Sequence, residues 1–319
     1  MKKLTQLPRI HWTGLNRLVE FTLLAAVAVA LAVACTPAPA QTLKVATGSA
    51  KLTYSSMFKE MVQYCGNTLP LIEVNSNGSM DNVDKLVGNE VNAGFVQSDV
   101  LWLRARTEDL GNVKTLLALH NEQVHLIAPV RSGVKSGGML GVGGNEVVIN
   151  DITQLANMRV AATGGSAVTA KVIRLQSEIP FTVVEYPNND EVLKAVAGGQ
   201  AQAALIVAGQ PAASVKALSG QQFKMLAIPP AVQERLKGVY RTARLNYSNL
   251  NAAGVPTVAT DALLVTREYK TPKMTGALAS FRSCVHGKVD ELKETTGTHP
   301  AWQAVDAANR GKWTWLELR

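Results

Sequence analysis

The stretch Ala93-Gly94-Phe95-Val96-Gln97-Ser98-Asp99 sets four apolar residues before three hydrogen-bonding ones. A short apolar run closed in this way reads as a buried strand leaving its sheet at the carboxyl end. Leu71-Ile72-Glu73-Val74 is the strand before it, 22 residues upstream. Between them lie the loop Asn75-Ser76-Asn77-Gly78-Ser79 and a helix carrying Val83, Leu86 and Val87. Earlier still, Leu43-Lys44-Val45-Ala46 is broken by Gly48-Ser49, and Tyr54, Met57, Phe58, Met61, Val62 and Cys65 recur at the spacing of one helical face.

The same grammar returns downstream. Arg159-Val160-Ala161-Ala162 leads to Gly164-Gly165-Ser166 and a helix bearing Val168, Val172, Ile173 and Leu175. Phe181-Thr182-Val183-Val184 leads to Asn188-Asn189-Asp190 and a helix with Val192, Leu193 and Val196. Ala203 to Val207 follows, 22 residues after Phe181, and ends at Gly209-Gln210-Pro211. Strands alternating with helices imply parallel sheets made of right-handed crossover units. Two such sets predict an α/β protein of two lobes with a ligand cleft between them. The apolar strand Gln123 to Val130 leaves the first set, and Thr257 to Thr266 offers a return path. The expected division is residues 41–129 plus 256–319 for the first lobe and 130–255 for the second. The tail with Trp302, Trp313 and Trp315 then packs on the first lobe. The glycine-rich stretch from Ser136 to Gly144 reads as an exposed loop.

Composition bounds the function. The 319 residues are 47% apolar and 18% charged, which supports sizeable cores and excludes a disordered chain. Aromatics at 5% argue against a base-stacking groove. The net charge of +8 includes +3 from the first 40 residues, leaving +5 on the remainder with no basic runs. That is a bias toward anionic partners and not a nucleic-acid footprint.

The basic start through Arg17, the apolar run Phe21 to Ala34 and the small residues Ala38-Pro39-Ala40 read as an export signal spanning residues 1–40. Fourteen helical residues span about 21 Å, short of a roughly 30 Å hydrocarbon core. A retained anchor and a lipoprotein cut before Cys35 are the alternatives. The expected mature chain begins at Gln41 in the periplasm. There Cys65 and Cys284 are predicted to pair, closing a loop worth about 5 kcal/mol in a chain-entropy model. The alternative is two buried free thiols.

In open parallel sheets, ligands bind beyond the carboxyl ends of strands, against helix amino termini. The six loops placed there carry Ser49, Ser79, Gln97, Ser98, Ser166, Asn189 and Gln210, with Lys51 able to add a charge and Tyr54 a wall. Each serine or asparagine is equally explained as a helix cap. Arg104, Arg106 and Arg131 are further partners for a carboxylate. Catalytic patterns are poor. His120, His125, His286 and His299 have no metal-ligand spacing, and His125 reads as a core histidine. Ser132 and Lys135 form an S-x-x-K without its companion motifs. Asp99 and Glu122 are a conceivable acid pair that no spacing positions. No enzyme activity and no cofactor are expected.

At these loops the chain resembles the TAXI family, the TRAP-associated extracytoplasmic immunogenic solute-binding proteins, from about Val45 to about Val265. Gly48-Ser49 with Tyr54, Gly78-Ser79 with Asn82, the intact Gln97-Ser98-Asp99, Gly165-Ser166 and Gly209-Gln210-Pro211 carry the likeness. The departures are Ala50-Lys51-Leu52 where glycine is common, a displaced threonine after Ser166, and the glycine-rich insertion. The resemblance implies a type II periplasmic binding fold. It also implies cargo such as an organic acid or an amino acid like glutamate, and integral membrane TRAP transporter subunits as partners. Ser49, Ser79, Gln97 and Ser166 are the expected core of the ligand contacts, with Lys51, Tyr54, Asn82, Ser98, Asp99, Gly165, Asn189 and Gln210 around them. The rival reading is a ligand-sensing or scaffolding protein with no transport role.

Overall fold

The computed structural model describes residues 41–50, 52–67, 69–136 and 145–318. The export segment, Cys35 and Lys51 lie outside the described residues, as does the glycine-rich stretch from 137 to 144. Among the described residues no helix is long and apolar enough to cross a membrane.

The first lobe opens with β1 (Leu43–Ala46), α1 (Thr53–Cys65), β2 (Leu71–Val74), α2 (Ser79–Val87), β3 (Ala93–Gln97) and α3 (Ser98–Arg104). β1 pairs in parallel with β2 and β3, as the alternation of strand and helix requires. The second lobe repeats the scheme. It has β7 (Arg159–Ala162), α4 (Gly164–Ser177), β8 (Thr182–Glu185), α5 (Asn189–Ala197) and β9 (Ala203–Ala208), with β7 parallel to both β8 and β9. Phe181 is buried but precedes β8, so that strand starts one residue later than its apolar run. Val87 and Leu175 close the apolar faces of α2 and α4 in sequence, yet are 45% and 48% exposed, because each lies at its helix's outer turn.

Two strands far longer than expected join the lobes. β4 (Val113–Pro129) and β12 (Ala252–Arg267) run antiparallel to each other from Ala259 opposite Gln123 to Arg267 opposite Val113. At its carboxyl end β12 pairs with β3, and at its amino end with β11 (Arg241–Tyr247). β4 continues past Gln123 to pair with β9 and with β10 (Phe223–Leu226). One ten-stranded sheet therefore passes through both lobes in the order β2-β1-β3-β12-β4-β9-β7-β8. A small hairpin of β5 (Lys135–Ser136) and β6 (Asn145–Glu146) stands apart from it. The remaining helices are α6 (Ala213–Lys216), α7 (Pro230–Leu236) and α8 (Pro272–Glu294).

α8 returns to the first lobe and packs with α1 around Phe58, Met61, Leu278, Phe281 and Trp302. Trp313 and Trp315 pack partly buried against the apolar cluster that includes Val113, and Trp315 bridges to Thr115. Cys65 and Cys284 are bonded, with Cα atoms 6.0 Å apart, which ties α1 to α8. The same apolar cluster joins Val96, Val100 and Leu101 of the first lobe to Val168, Val172 and Tyr240 of the second. His125 lies within β4 as a satisfied core histidine. Its Nδ1 donates to the Ile206 carbonyl at 3.2 Å and its Nε2 accepts from the Tyr247 hydroxyl at 2.8 Å. The Ile206 carbonyl can only accept, which puts the proton of the neutral ring on Nδ1, and the Tyr247 hydroxyl in turn accepts from the Ala212 amide.

Candidate functional site

The strand ends of the first lobe are held by one side chain. Asn82, fully buried on α2, donates to the carbonyls of Thr47 (3.2 Å) and Phe95 (2.7 Å) and accepts from the Ser76 hydroxyl (2.5 Å). Both of its N–H donors are used within the protein, so it positions the loops. Gly78 precedes α2 at φ +96°, where a side chain would be strained. Ser79 is not a helix cap: its hydroxyl accepts from the amide of Gln97 at 3.1 Å, locking α2 to the end of β3. Ser166 does the same in the second lobe, accepting from the Val207 amide at 3.0 Å.

Gln97-Ser98-Asp99 sits where the lobes meet, and each residue ties the first lobe to a different element. Gln97 Nε2 donates to Glu122 Oε2 on β4 at 2.7 Å. Ser98 shares a 3.0 Å hydrogen bond with Thr260 and accepts from the Asp261 amide, both on β12. Asp99 is fully buried and accepts from Thr169 Oγ1 (2.6 Å) on α4, the Tyr240 hydroxyl (2.9 Å) and Thr260 Oγ1 (3.2 Å). Burial pushes the Asp99 carboxyl above its ordinary value, against the pull of those three hydrogen bonds. Burial, then the charge of Asp99, pushes the Tyr240 phenol far up. Asp99 is thus a bond between lobes, with both oxygens occupied.

Beside it is a cluster of polar side chains with atoms left unpartnered. Tyr54 stacks on Phe95 with centroids 5.1 Å apart, and its ring edges His120 at 6.4 Å. The Tyr54 hydroxyl is buried and makes no hydrogen bond of good geometry, although the Glu122 and Ser79 side chains stand close enough to act on it. Burial, followed by the charge of Glu122, holds its phenol far above the ordinary value, so it keeps its proton. His120 is 1% exposed and neither ring nitrogen is hydrogen-bonded; Nε2 stands 3.4 Å from Glu122 Oε1. Glu122 is 7% exposed, and among the described residues no lysine or arginine pairs with it or with Asp99.

The second lobe meets this cluster with glycines. A Cβ on Gly165 would fall 2.2 Å from Gln97 Oε1, so only glycine permits the observed approach. A Cβ on Gly209 would stand 3.6 Å from the His120 ring, in ordinary contact.

Tyr54, Ser79, Gln97, Asp99 and Gly165 are therefore brought together. Asn82, Ser98 and Ser166 support them from behind. Ser49 is exposed on the β1–α1 turn. Gln210 is exposed, its side chain accepting from the Asn246 amide. Asn189 starts α5 with a buried, unpartnered side-chain oxygen, while Asn188 is the cap, accepting from the Glu191 amide. Arg104 is engaged with Asp84 and Glu108, and Arg106 lies over the Trp102 ring at 5.0 Å. Ser132 donates to the Val147 carbonyl at 2.5 Å in the hairpin region. No group of three or more His, Cys, Asp or Glu side chains among the described residues is placed to hold a metal.

Sequence reasoning did not find the roles of His120, Thr169, Tyr240 and Thr260, and it left Glu122 unplaced. His120 and Glu122 stand two apart in a strand, hence on one face, and two polar residues in step within an apolar strand were the available signal.

No protein-family model and no curated protein matches the chain. Among solved structures it is similar to the periplasmic domain of Bordetella pertussis BvgS, at 13% identity and a TM-score of 0.43, over 75% of this chain and 39% of that one. It is also similar to the substrate-binding protein of an amino acid ABC transporter, at 10% identity and 0.44, over 80% and 95%. The GluR0 ligand-binding core from Nostoc punctiforme, solved with L-glutamate, matches at 15% and 0.42, over 77% and 98%.

Proposed function

We propose that the protein is an extracytoplasmic solute-binding receptor of the TAXI kind. It captures a small organic acid or amino acid by lobe closure and delivers it to a TRAP-type membrane transporter. The lobes are residues 41–129 plus 256–319 and 130–255, moving about the paired strands β4 and β12. The observation that carries this reading is the buried cluster of Tyr54, His120 and Glu122 at the lobe junction, where polar atoms are left without partners. Leaving a buried polar group unpaired costs about 1 to 3 kcal/mol, and a ligand that pairs it recovers that cost. Gly165 lets the second lobe approach Gln97 beside these groups, and Gly209 stands against the His120 ring. A ligand stabilises the closed form only through contacts it makes there and not in the open form.

The test is a thermal-shift screen of the purified protein against carboxylates, amino acids and phosphates. A ligand at about 100 times its dissociation constant adds roughly 2.7 kcal/mol. That is a shift of about 5 to 10 °C for a chain near this size. A hit whose shift is lost in Tyr54→Phe and His120→Ala supports the cluster as the binding site. A flat screen, together with no small molecule released on denaturation, refutes the receptor reading. Ligand-dependent uptake by cells carrying a TRAP permease, lost without this protein, tests the delivery step.

A further inference from the structure

We infer that a groove between α8 and the carboxyl-terminal tail binds a phosphate monoester, at a site that shares no residue with the cluster at the lobe junction. The groove holds about 520 Å³, within the range of small-molecule sites. α8 supplies Arg282, Ser283 and His286, the tail supplies Arg310 and Trp315, and alanines make up the rest of the lining. Residues four apart share one face of a helix, so Arg282 and His286 leave α8 on the same side. Both guanidiniums lie over one indole: Arg282 Cζ is 5.6 Å and Arg310 Cζ 5.7 Å from the centre of the Trp315 ring.

Trp315 thus gathers two like charges with no carboxylate bridging them. Arg104 is paired with Asp84 and Glu108, and Arg241 with Asp261, whereas among the described residues Arg282 and Arg310 form no salt bridge. Burial holds the Arg282 guanidinium below its ordinary value; the charge of Glu317 opposes that shift and the charge of Arg310 adds to it. Stacking uses the flat face of a guanidinium and leaves its N–H edge, which is the edge that grips phosphate oxygens in pairs. Arg282 spends one N–H on the Leu316 carbonyl at 2.9 Å. The side chains of Arg310, Ser283 and His286 donate to no acceptor among the described residues. A phosphate monoester carries about 1.5 to 2 negative charges at pH 7 and three strong acceptor oxygens. That matches two guanidiniums flanked by a hydroxyl and an imidazole, where a single carboxylate leaves one cation uncompensated. The alanines give the ester's carbon skeleton an uncharged surface to lie on.

Two sources can present this chemistry, a free ester and a phosphatidic acid headgroup, and the experiment separates them. Calorimetric titration of the purified protein uses sn-glycerol 3-phosphate and inorganic phosphate against sodium chloride at matched ionic strength. Flotation uses phosphatidylcholine vesicles with and without phosphatidic acid. The expected result is saturable binding of glycerol 3-phosphate that Arg310→Gln weakens about 10-fold or more, the scale of one lost charge-assisted contact. Arg310 is exposed, so its replacement leaves the core intact and the loss reads as a lost contact. Arg282→Gln should weaken binding as much, but it also releases the Leu316 carbonyl, so Arg310→Gln decides. If the soluble phosphates do not bind, yet vesicles with phosphatidic acid retain the protein and release Arg310→Gln, the same group reaches the groove from a lipid surface. Binding in neither arm overturns the inference. So does binding that Arg310→Gln leaves within about twofold, or heat that sodium chloride reproduces. The site does not rest on the receptor reading, and its loss leaves that reading where it stands.

Discussion

Gly165→Ala places a methyl group 2.2 Å from Gln97 Oε1 and 3.3 Å from its Cδ. Turning over the terminal amide does not relieve the overlap. It puts a nitrogen where the oxygen was and aims an oxygen at the Glu122 carboxylate. The Gln97 side chain has to swing away as a whole, losing its 2.7 Å bond to Glu122, or the lobes have to part. A buried hydrogen bond to a charged group is worth about 1.5 to 3 kcal/mol. The penalty falls on the closed form alone, so the closed-to-open ratio drops by about 10- to 150-fold, and affinity for a closure-dependent ligand falls with it. Gly165 has no positive φ to protect, so backbone strain does not confuse the result. The assay is a double-mutant cycle with Gln97→Ala, read by urea unfolding, with the radius of gyration from small-angle scattering beside it. Once Gln97 is truncated the added methyl has nothing to strike, so the two changes should couple by at least 1 kcal/mol. Additivity within about 0.5 kcal/mol, with an unchanged radius, would refute the reasoning.

Three further outcomes are expected. The pKa of His125 falls from an ordinary 6.5 to about 4, because burial disfavours the imidazolium; a lowered histidine contributes stability fully present above pH 6.5 and lost as pH falls toward 4. At 1.36 kcal/mol per unit the loss is about 3 kcal/mol, and urea midpoints across that window in His125→Asn should show a flatter slope. Reducing the Cys65–Cys284 bond, whose cysteines are 219 residues apart, should lower unfolding free energy by about 5 kcal/mol, seen as a reductant-dependent urea midpoint. Tyr240→Phe removes the 2.9 Å donor to Asp99 and should cost about 1.5 to 3 kcal/mol in the same assay, with no loss if the lobes are not joined there.

Local patterns carry the strand-and-helix order. Leu43 to Ala46, Ala93 to Gln97 and Arg159 to Ala162 are strands because a short apolar run between polar turns has few other ways to bury itself. The cysteine pair is legible from number and compartment, and Gln97-Ser98-Asp99 stands out as polar residues at a strand end. What those residues touch is decided by the tertiary structure. In sequence, His120-Asn121-Glu122-Gln123 looks like a polar break before a strand, whereas all four lie inside β4. Gln97 meets Glu122 from 25 residues away and the Gln210 amide meets Gln123, while the His120 ring nitrogens and Asn121 Oδ1 stay buried and unpartnered. Ser79 and Ser166 read as caps and are instead acceptors for the next strand's amide. Asp99 reads as a ligand contact and instead holds Thr169 and Tyr240, 70 and 141 residues on. Apolar periodicity is a property of neighbouring residues and survives in the sequence. A hydrogen bond between lobes depends on where two separately built surfaces come to rest, and that geometry exists only once the chain is folded.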